Sequence, residues 1–149
     1  MKIVYLTGNL MDANEKVILH GCNDRGVMGS GVAKFVKEKY PDAFRLYRAY
    51  FDQGTLALGK NVIWESPSRV VINGVTQRGY GYDGQRYLSY DALYSVLEGA
   101  NKYCLETDQK HIAMPTIGSL RGGGNWNIIE VMIEEIFQAV TPVVYLYKE

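Results

Sequence analysis

Residues 17–40, VILHGCNDRGVMGSGVAKFVKEKY, decide the fold. The segment opens on an apolar run, Val17-Ile18-Leu19, and turns polar at His20-Gly21-Cys22-Asn23. It passes Gly26, Gly29, Ser30 and Gly31 before apolar residues recur at Val32, Phe35, Val36 and Tyr40. Those positions share one helical face, with Lys34, Lys37, Glu38 and Lys39 largely off it, so the order is strand, glycine loop, helix. Glycine visits positive φ cheaply and lets backbone N–H groups converge. The helix N-terminus that follows adds partial positive charge. The loop therefore reads as a phosphate seat. No Gly-Lys-Ser/Thr closes it, and its spacing is GxxGxG, so neither the Walker nor the dinucleotide fingerprint applies. The competing reading is a turn that only connects two elements; His20 and Asn23, flanking the loop in an expected crevice, weigh against it.

Outward from this segment, composition narrows the class. With 149 residues, 47% of them hydrophobic, the chain is expected to form one globular domain over 1–149 rather than a disordered segment. Its formal net charge of zero argues against a nucleic-acid partner, which calls for a basic face. No apolar run reaches membrane-spanning length, so no membrane association is expected. The opening MKIVYLTGNL reads as a first strand rather than a signal peptide. Cys22 and Cys104, with two scattered histidines, form neither a disulfide framework nor a metal-ligand pattern. The expectation is a cytoplasmic protein with no metal and no cofactor.

Ile3–Leu6 is the predicted first strand and Val17–Leu19 the second. Pro41 ends the helix after Tyr40 and starts another, with Phe44, Leu46, Tyr47 and Tyr50 as its apolar residues. A hairpin is predicted from Asn61–Trp64, a turn over Glu65–Ser68, and Arg69–Thr76. A second glycine loop, GYGYDGQRY, precedes a helix capped by Ser89, whose apolar face is Leu93, Val96, Leu97, Ala100 and Cys104. His111–Met114 is a strand stopped by Pro115. A third glycine loop follows at Ile117–Gly124, IGSLRGGG. The last helix places Trp126, Ile129, Ile133, Ile136, Phe137 and Val140 on one face, with Asn127 and Glu130 as its capping pair. Val143–Tyr147 closes the chain as a strand. Alternating strands and helices predict an α/β sandwich. Ligands in such sheets sit beyond the strand ends, so the first and third glycine loops can wall one crevice and grip two phosphates from opposite sides.

The stretches ILHGCNDRGVMGSGVA, MPTIGSLRGGGNW and VVYLY, with the opening TGNL and the segment running from VTQ to YLSYDAL, resemble the macrodomain family over nearly the whole chain. The long first loop with H-x-C-N is similar to the branch holding ADP-ribose 1″-phosphate phosphatases and terminal ADP-ribose protein glycohydrolases. The resemblance implies a three-layer α/β/α sandwich with a mixed central sheet. It also implies ADP-ribose or a derivative as ligand, with ADP-ribosylated macromolecules as further partners. Carried over by motif, Gly8, Asn9 and Leu10 border adenine, with Asn9 standing where many macrodomains have aspartate. Asn23 bonds the distal ribose. Gly29, Ser30, Gly31 and Val32 hold one phosphate. The third loop, Ile117, Gly118, Ser119, Leu120, Arg121 and Gly122, holds the other phosphate and the distal ribose. Tyr147 either packs on adenine or is a sheet-edge tyrosine; Arg121 either pairs with phosphate or is an exposed loop arginine. Trp126 reads as a core anchor.

For chemistry, His20 is the expected proton shuttle or nucleophile, matching the histidine implicated in the phosphatase; the bland alternative is a histidine that only bonds the loop. Asp83, in the second glycine loop, is its expected carboxylate partner, with Asp24 as the alternative. The glycohydrolase pattern is broken twice. Gln77 follows Thr76 where that branch has a lysine that attacks the sugar, and the third loop carries glycine at 122 and no carboxylate. The expected activity is hydrolysis of ADP-ribose 1″-phosphate, the alternatives being a non-catalytic ADP-ribose-binding module or removal of acyl groups from O-acetyl-ADP-ribose and ADP-ribosyl esters.

Overall fold

The computed structural model describes residues 1–81 and 83–147; Tyr82 of the predicted second loop lies outside them. In chain order the elements are β1 (Val4–Thr7), a 3-10 turn (Leu10–Asp12), β2 (Val17–Asn23), α1 (Gly31–Lys39), α2 (Pro41–Asp52), β3 (Asn61–Glu65), β4 (Val70–Gln77), α3 (Tyr90–Glu106), β5 (His111–Met114), α4 (Trp126–Ile136) and β6 (Thr141–Leu146). One sheet runs β1-β6-β5-β2-β4-β3. Its pairs are parallel except the β3–β4 hairpin. This is the expected mixed sheet in a three-layer α/β/α sandwich.

Side-chain alternation builds the layers. From β2, Val17 and Leu19 face one way, joining Ile72, Leu93, Leu97, Ile129 and Ile133 beneath α3 and α4. Ile18 and Cys22 face the other way, joining Val71, Val36, Ala43 and Tyr47 beneath α1 and α2. At Gly74 in β4 an added Cβ would lie 2.4 Å from Val96 Cγ1, so glycine is what lets α3 approach the sheet centre.

The hairpin, β5 and the Ser89 cap stand where the sequence puts them; Ser89 accepts from Ala92 N. Several boundaries differ. β2 runs on through His20-Gly21-Cys22-Asn23, because those residues pair with Asn73–Gln77 of β4 despite their weak strand propensity. β1 begins at Val4, where it pairs with Val143 of β6, and β6 begins at Thr141, where it pairs with His111 of β5. Asn125, rather than Asn127 with Glu130, caps α4, its side chain accepting from Asn127 N. Phe137 and Val140 are buried after the helix has ended, on the turn that leads into β6.

Candidate functional site

The C-terminal ends of β2, β4 and β5 open into a cleft of about 470 Å³. β2 contributes Gly21, Cys22 and Asn23; β4 contributes Thr76 and Gln77. The first glycine loop supplies Val27, Gly29, Ser30 and Gly31, continued by Val32 and Ala33 of α1. Opposite stand Pro115 and Thr116, then Ile117, Gly118, Leu120, Arg121 and Gly122 of the third loop, with Tyr80 and Gly81 from the second. The expected juxtaposition of the first and third loops is therefore present.

Gly31 opens α1 at φ +62, and a Cβ built there would lie 3.5 Å from Arg121 Nε. The two loops thus meet across the cleft at a point where one side is bare backbone and the other is cationic. Ser30 caps α1 in extended conformation without a side-chain bond to the first turn. The opening turn of a helix has amides with no intrahelical acceptor, and no acidic residue occupies this one. The residues that carry those donors, Gly31, Val32 and Ala33, line the cleft together with Arg121, an arrangement that suits an anion. In the third loop Gly118 sits at φ +80, and Leu88 and Ile129 crowd it at 3.1–3.2 Å from any Cβ. Gly122 O accepts from both Tyr87 N and Leu88 N, which ties the third loop to the second.

Asn23 follows a register shift between Cys22 and Asn23 in the β2–β4 ladder. It is 8% exposed and its amide is held from several sides. Arg25 N donates to Oδ1 at 2.9 Å, Tyr47 Oη lies 3.0 Å from the same oxygen, and Nδ2 donates to Val27 O at 2.8 Å. Asn23 lines the cleft, and the bond to Val27 O uses only one of its two Nδ2 hydrogens. Gln77 also lines the wall and donates to Gly79 O at 2.9 Å.

His20 is a correction. It lies within β2, fully buried, and does not border the cleft. Strand alternation turns it beneath α2, where Nε2 is 2.6 Å from Asn73 Oδ1, and Asn73 Nδ2 in turn donates to Ala43 O and Val62 O. Burial lowers its pKa from 6.5 to about 4, so the ring is a neutral hydrogen-bonding core residue. Asp83 is a second correction. It is exposed on the second loop, accepts from Tyr87 Oη and Gln85 N, and does not line the cleft. The Tyr87 hydrogen bond, ahead of that from Gln85, lowers its pKa. The alternative, Asp24, spends Oδ1 on Gly79 N at 2.8 Å, pinning the second loop to the end of β2.

Among the remaining expected contacts, Ser119 does not line the cleft, and its hydroxyl donates to Thr116 O. Gly8, Asn9, Leu10 and Tyr147 also lie outside the lining. Asn9 caps the 3-10 turn by accepting from Met11 N, Leu10 is buried, and Tyr147 packs against Phe35 of α1 with ring centroids 6.0 Å apart. Trp126 is half-buried and donates from Nε1 to Tyr5 Oη. Thr116, Tyr80 and Cys22 line the cleft without having been singled out for it. Their common signal is position: each lies at or just past a strand end. The Cys22 thiol is pushed far up by burial, which leaves it a protonated, inert wall.

Chemically, the cleft offers backbone amides, side-chain amides, hydroxyls and one guanidinium on an apolar floor. No carboxylate or imidazole lines it among the described residues. No group of metal-ligating side chains occurs among those residues either, and no described helix is long and apolar enough to cross a membrane.

Comparison with known proteins agrees with this geometry. Residues 19–133 match the family model for the Macro domain. The chain is similar to a DNA ADP-ribosyl glycohydrolase of Thermus aquaticus, at 24% identity over 149 residues, covering 97% of this chain and 40% of that protein. It thus spans about 40% of the length of the curated relatives it first matches. A shorter stretch of 52 residues, 34% of this chain and 20% of the relative, is 42% identical to an ADP-ribose 1″-phosphate phosphatase of Ajellomyces capsulatus. Among solved structures, the macrodomain of Mycobacterium tuberculosis DarG superposes with a TM-score of 0.85 at 25% identity, covering 96% of each chain.

Proposed function

We propose, from the premise that this chain belongs to the Macro domain family, that it recognises ADP-ribose and ADP-ribosylated molecules. The observation that carries the reading is the pair of glycine loops facing each other across one cleft, with Arg121 beside the bare backbone of Gly31. A diphosphate between them meets amide donors from the start of α1 on one side and the third loop on the other. Asn23 and Gln77 stand beyond, where a sugar attached to the second phosphate would reach. The names of the DNA ADP-ribosyl glycohydrolase and the ADP-ribose 1″-phosphate phosphatase to which the chain is similar support the same ligand. Partners then include ADP-ribosylated DNA as well as protein. Zero net charge argues against affinity for a phosphate backbone, but a domain that grips the modification itself does not need that affinity.

Between binding and catalysis, the geometry favours binding, because acid–base side chains are missing from the described cleft lining. The resemblance to the phosphatase over 52 residues favours a second reading, hydrolysis of ADP-ribose 1″-phosphate. With His20 buried, that reaction takes its base from the substrate. Water attacks phosphorus, the bond from phosphorus to the C1″ oxygen breaks, and the proton leaving the water passes through a phosphate oxygen to the departing sugar oxygen. Loop amides and Arg121 would offset the charge on the equatorial oxygens.

Calorimetry with ADP-ribose tests the first reading, and phosphorus NMR of ADP-ribose 1″-phosphate tests the second. Saturable ADP-ribose binding with no enzyme-dependent phosphate signal is the result expected for a binding module. Absence of ADP-ribose binding refutes the first reading, and protein-dependent release of phosphate establishes the second.

A further inference from the structure

We infer that Tyr47 of α2 is a positioning residue for the cleft, fixing Asn23 so that its side chain presents a hydrogen-bond donor, and not an acceptor, to the ligand. The inference rests on the ADP-ribose reading only for the identity of that ligand. Tyr47 is fully buried and does not line the cleft, yet its hydroxyl is 2.7 Å from Asn23 O and 3.0 Å from Asn23 Oδ1. Val27 N also donates to Asn23 Oδ1, at 3.4 Å, so the amide that Tyr47 holds closes the turn that leads into the first glycine loop. Burial raises the phenol's pKa far above its ordinary value, which keeps it a donor.

An asparagine amide flipped by half a turn exchanges donor for acceptor with almost no change in shape. Here the flip is blocked twice. Oδ1 already accepts from Arg25 N and shares the single Tyr47 hydroxyl proton with Asn23 O, and an inverted amide would aim NH2 at both donors. Its oxygen would also face Val27 O, which now accepts from Nδ2. The donor left over suits a group that accepts, such as a hydroxyl oxygen of the distal sugar. A ligand ending at the second phosphate lacks that sugar. Tyr47 therefore acts on sugar recognition while touching no ligand itself.

The test compares wild type with Tyr47→Phe, using ADP-ribose and ADP as probes, alongside NMR of the Asn23 side-chain amide. Removing the phenol hydroxyl should weaken ADP-ribose binding about tenfold, the effect of one well-placed hydrogen bond. ADP affinity should stay within about twofold. Without ligand, the Asn23 amide protons should show contacts to Val27 in wild type, and should lose those contacts in Tyr47→Phe. Equal loss of both ligands, or an Asn23 amide unchanged in Tyr47→Phe, overturns the inference. A wild type that binds neither probe refutes the ADP-ribose reading alone, since the amide signature still decides whether Tyr47 positions Asn23.

Discussion

Gly31→Glu puts a carboxylate where the first loop meets the third. The position has φ +62 and a Cβ there would lie 3.5 Å from Arg121 Nε, so two effects separate. The backbone cost of a non-glycine residue in the left-handed region is about 1–2 kcal/mol. It should lower the midpoint of thermal unfolding by roughly 2–8 °C without changing the fold. The electrostatic effect falls on the ligand. Two unit charges about 4 Å apart at an effective dielectric near 20 repel by about 4 kcal/mol, which is nearly a thousandfold in affinity. The new carboxylate would also pair with Arg121 and remove its charge from the phosphate. Gly31→Ala isolates the backbone cost and should bind far better than Gly31→Glu. Calorimetry with ADP-ribose, with circular dichroism as the check on folding, should show at least a hundredfold loss for Gly31→Glu. Near-native affinity in a normally folded Gly31→Glu variant would refute the phosphate seat and leave the loop a connector.

Selectivity gives a second outcome: ADP-ribose should bind more tightly than AMP, which lacks the second phosphate and distal ribose, and than NAD, which carries a nicotinamide on that ribose. Equal heats for all three would remove the diphosphate assignment. For His20, burial holds the ring neutral with a folded pKa of about 4 against 6.5. The unfolded chain therefore takes up the proton first as pH falls. Stability from this group is complete above pH 6.5 and is lost between 6.5 and about 4, by an amount of order 3 kcal/mol. Urea titrations across that range should show this loss in wild type and a shallower one in His20→Gln, and identical slopes would mean the ring is not buried neutral. ADP-ribose affinity of His20→Gln should stay within a few fold, since the ring does not line the cleft. Leu97→Ala, in the core beneath α3, should cost about 2–5 kcal/mol in denaturant unfolding.

Much of this was legible because the signals were local. Pro115 stops β5, Ser89 caps α3, and a turn over residues 66–69, one residue on from the expected one, closes a hairpin whose strands are β-rich. The crevice between the first and third loops followed from two glycine runs placed just after apolar strands. His20 was misplaced because the sequence puts the strand's end at Leu19. The polar tetrad His20–Asn23 has no strand propensity of its own and is held extended by β4, a partner some fifty residues away. Once the strand is extended, alternation alone assigns His20 to the α2 side, where Asn73 supplies the polar partner that lets it be buried. Asp83 was placed by loop proximity, and only its bond to Tyr87 shows that it is spent outside the cleft. Asn125 and Asn127 are both competent caps in sequence, and the path of the loop decides between them. Tyr47 gave one signal, its place on the apolar face of α2, and that signal does not separate a core tyrosine from one holding a loop.

The cleft walls come from Asn23, Gln77 and Gly122, three points that no short fragment contains together. Ligand occupancy is therefore tied to completed assembly of the central sheet. A ligand at a hundred times its dissociation constant would add about 2.7 kcal/mol against every opening that separates β2, β4 and β5. It would add nothing against fraying of β1, whose four residues are all exposed at the sheet edge. Amide exchange should accordingly divide the molecule, with β2 and β4 slowed by ligand and the β1 edge exchanging as before.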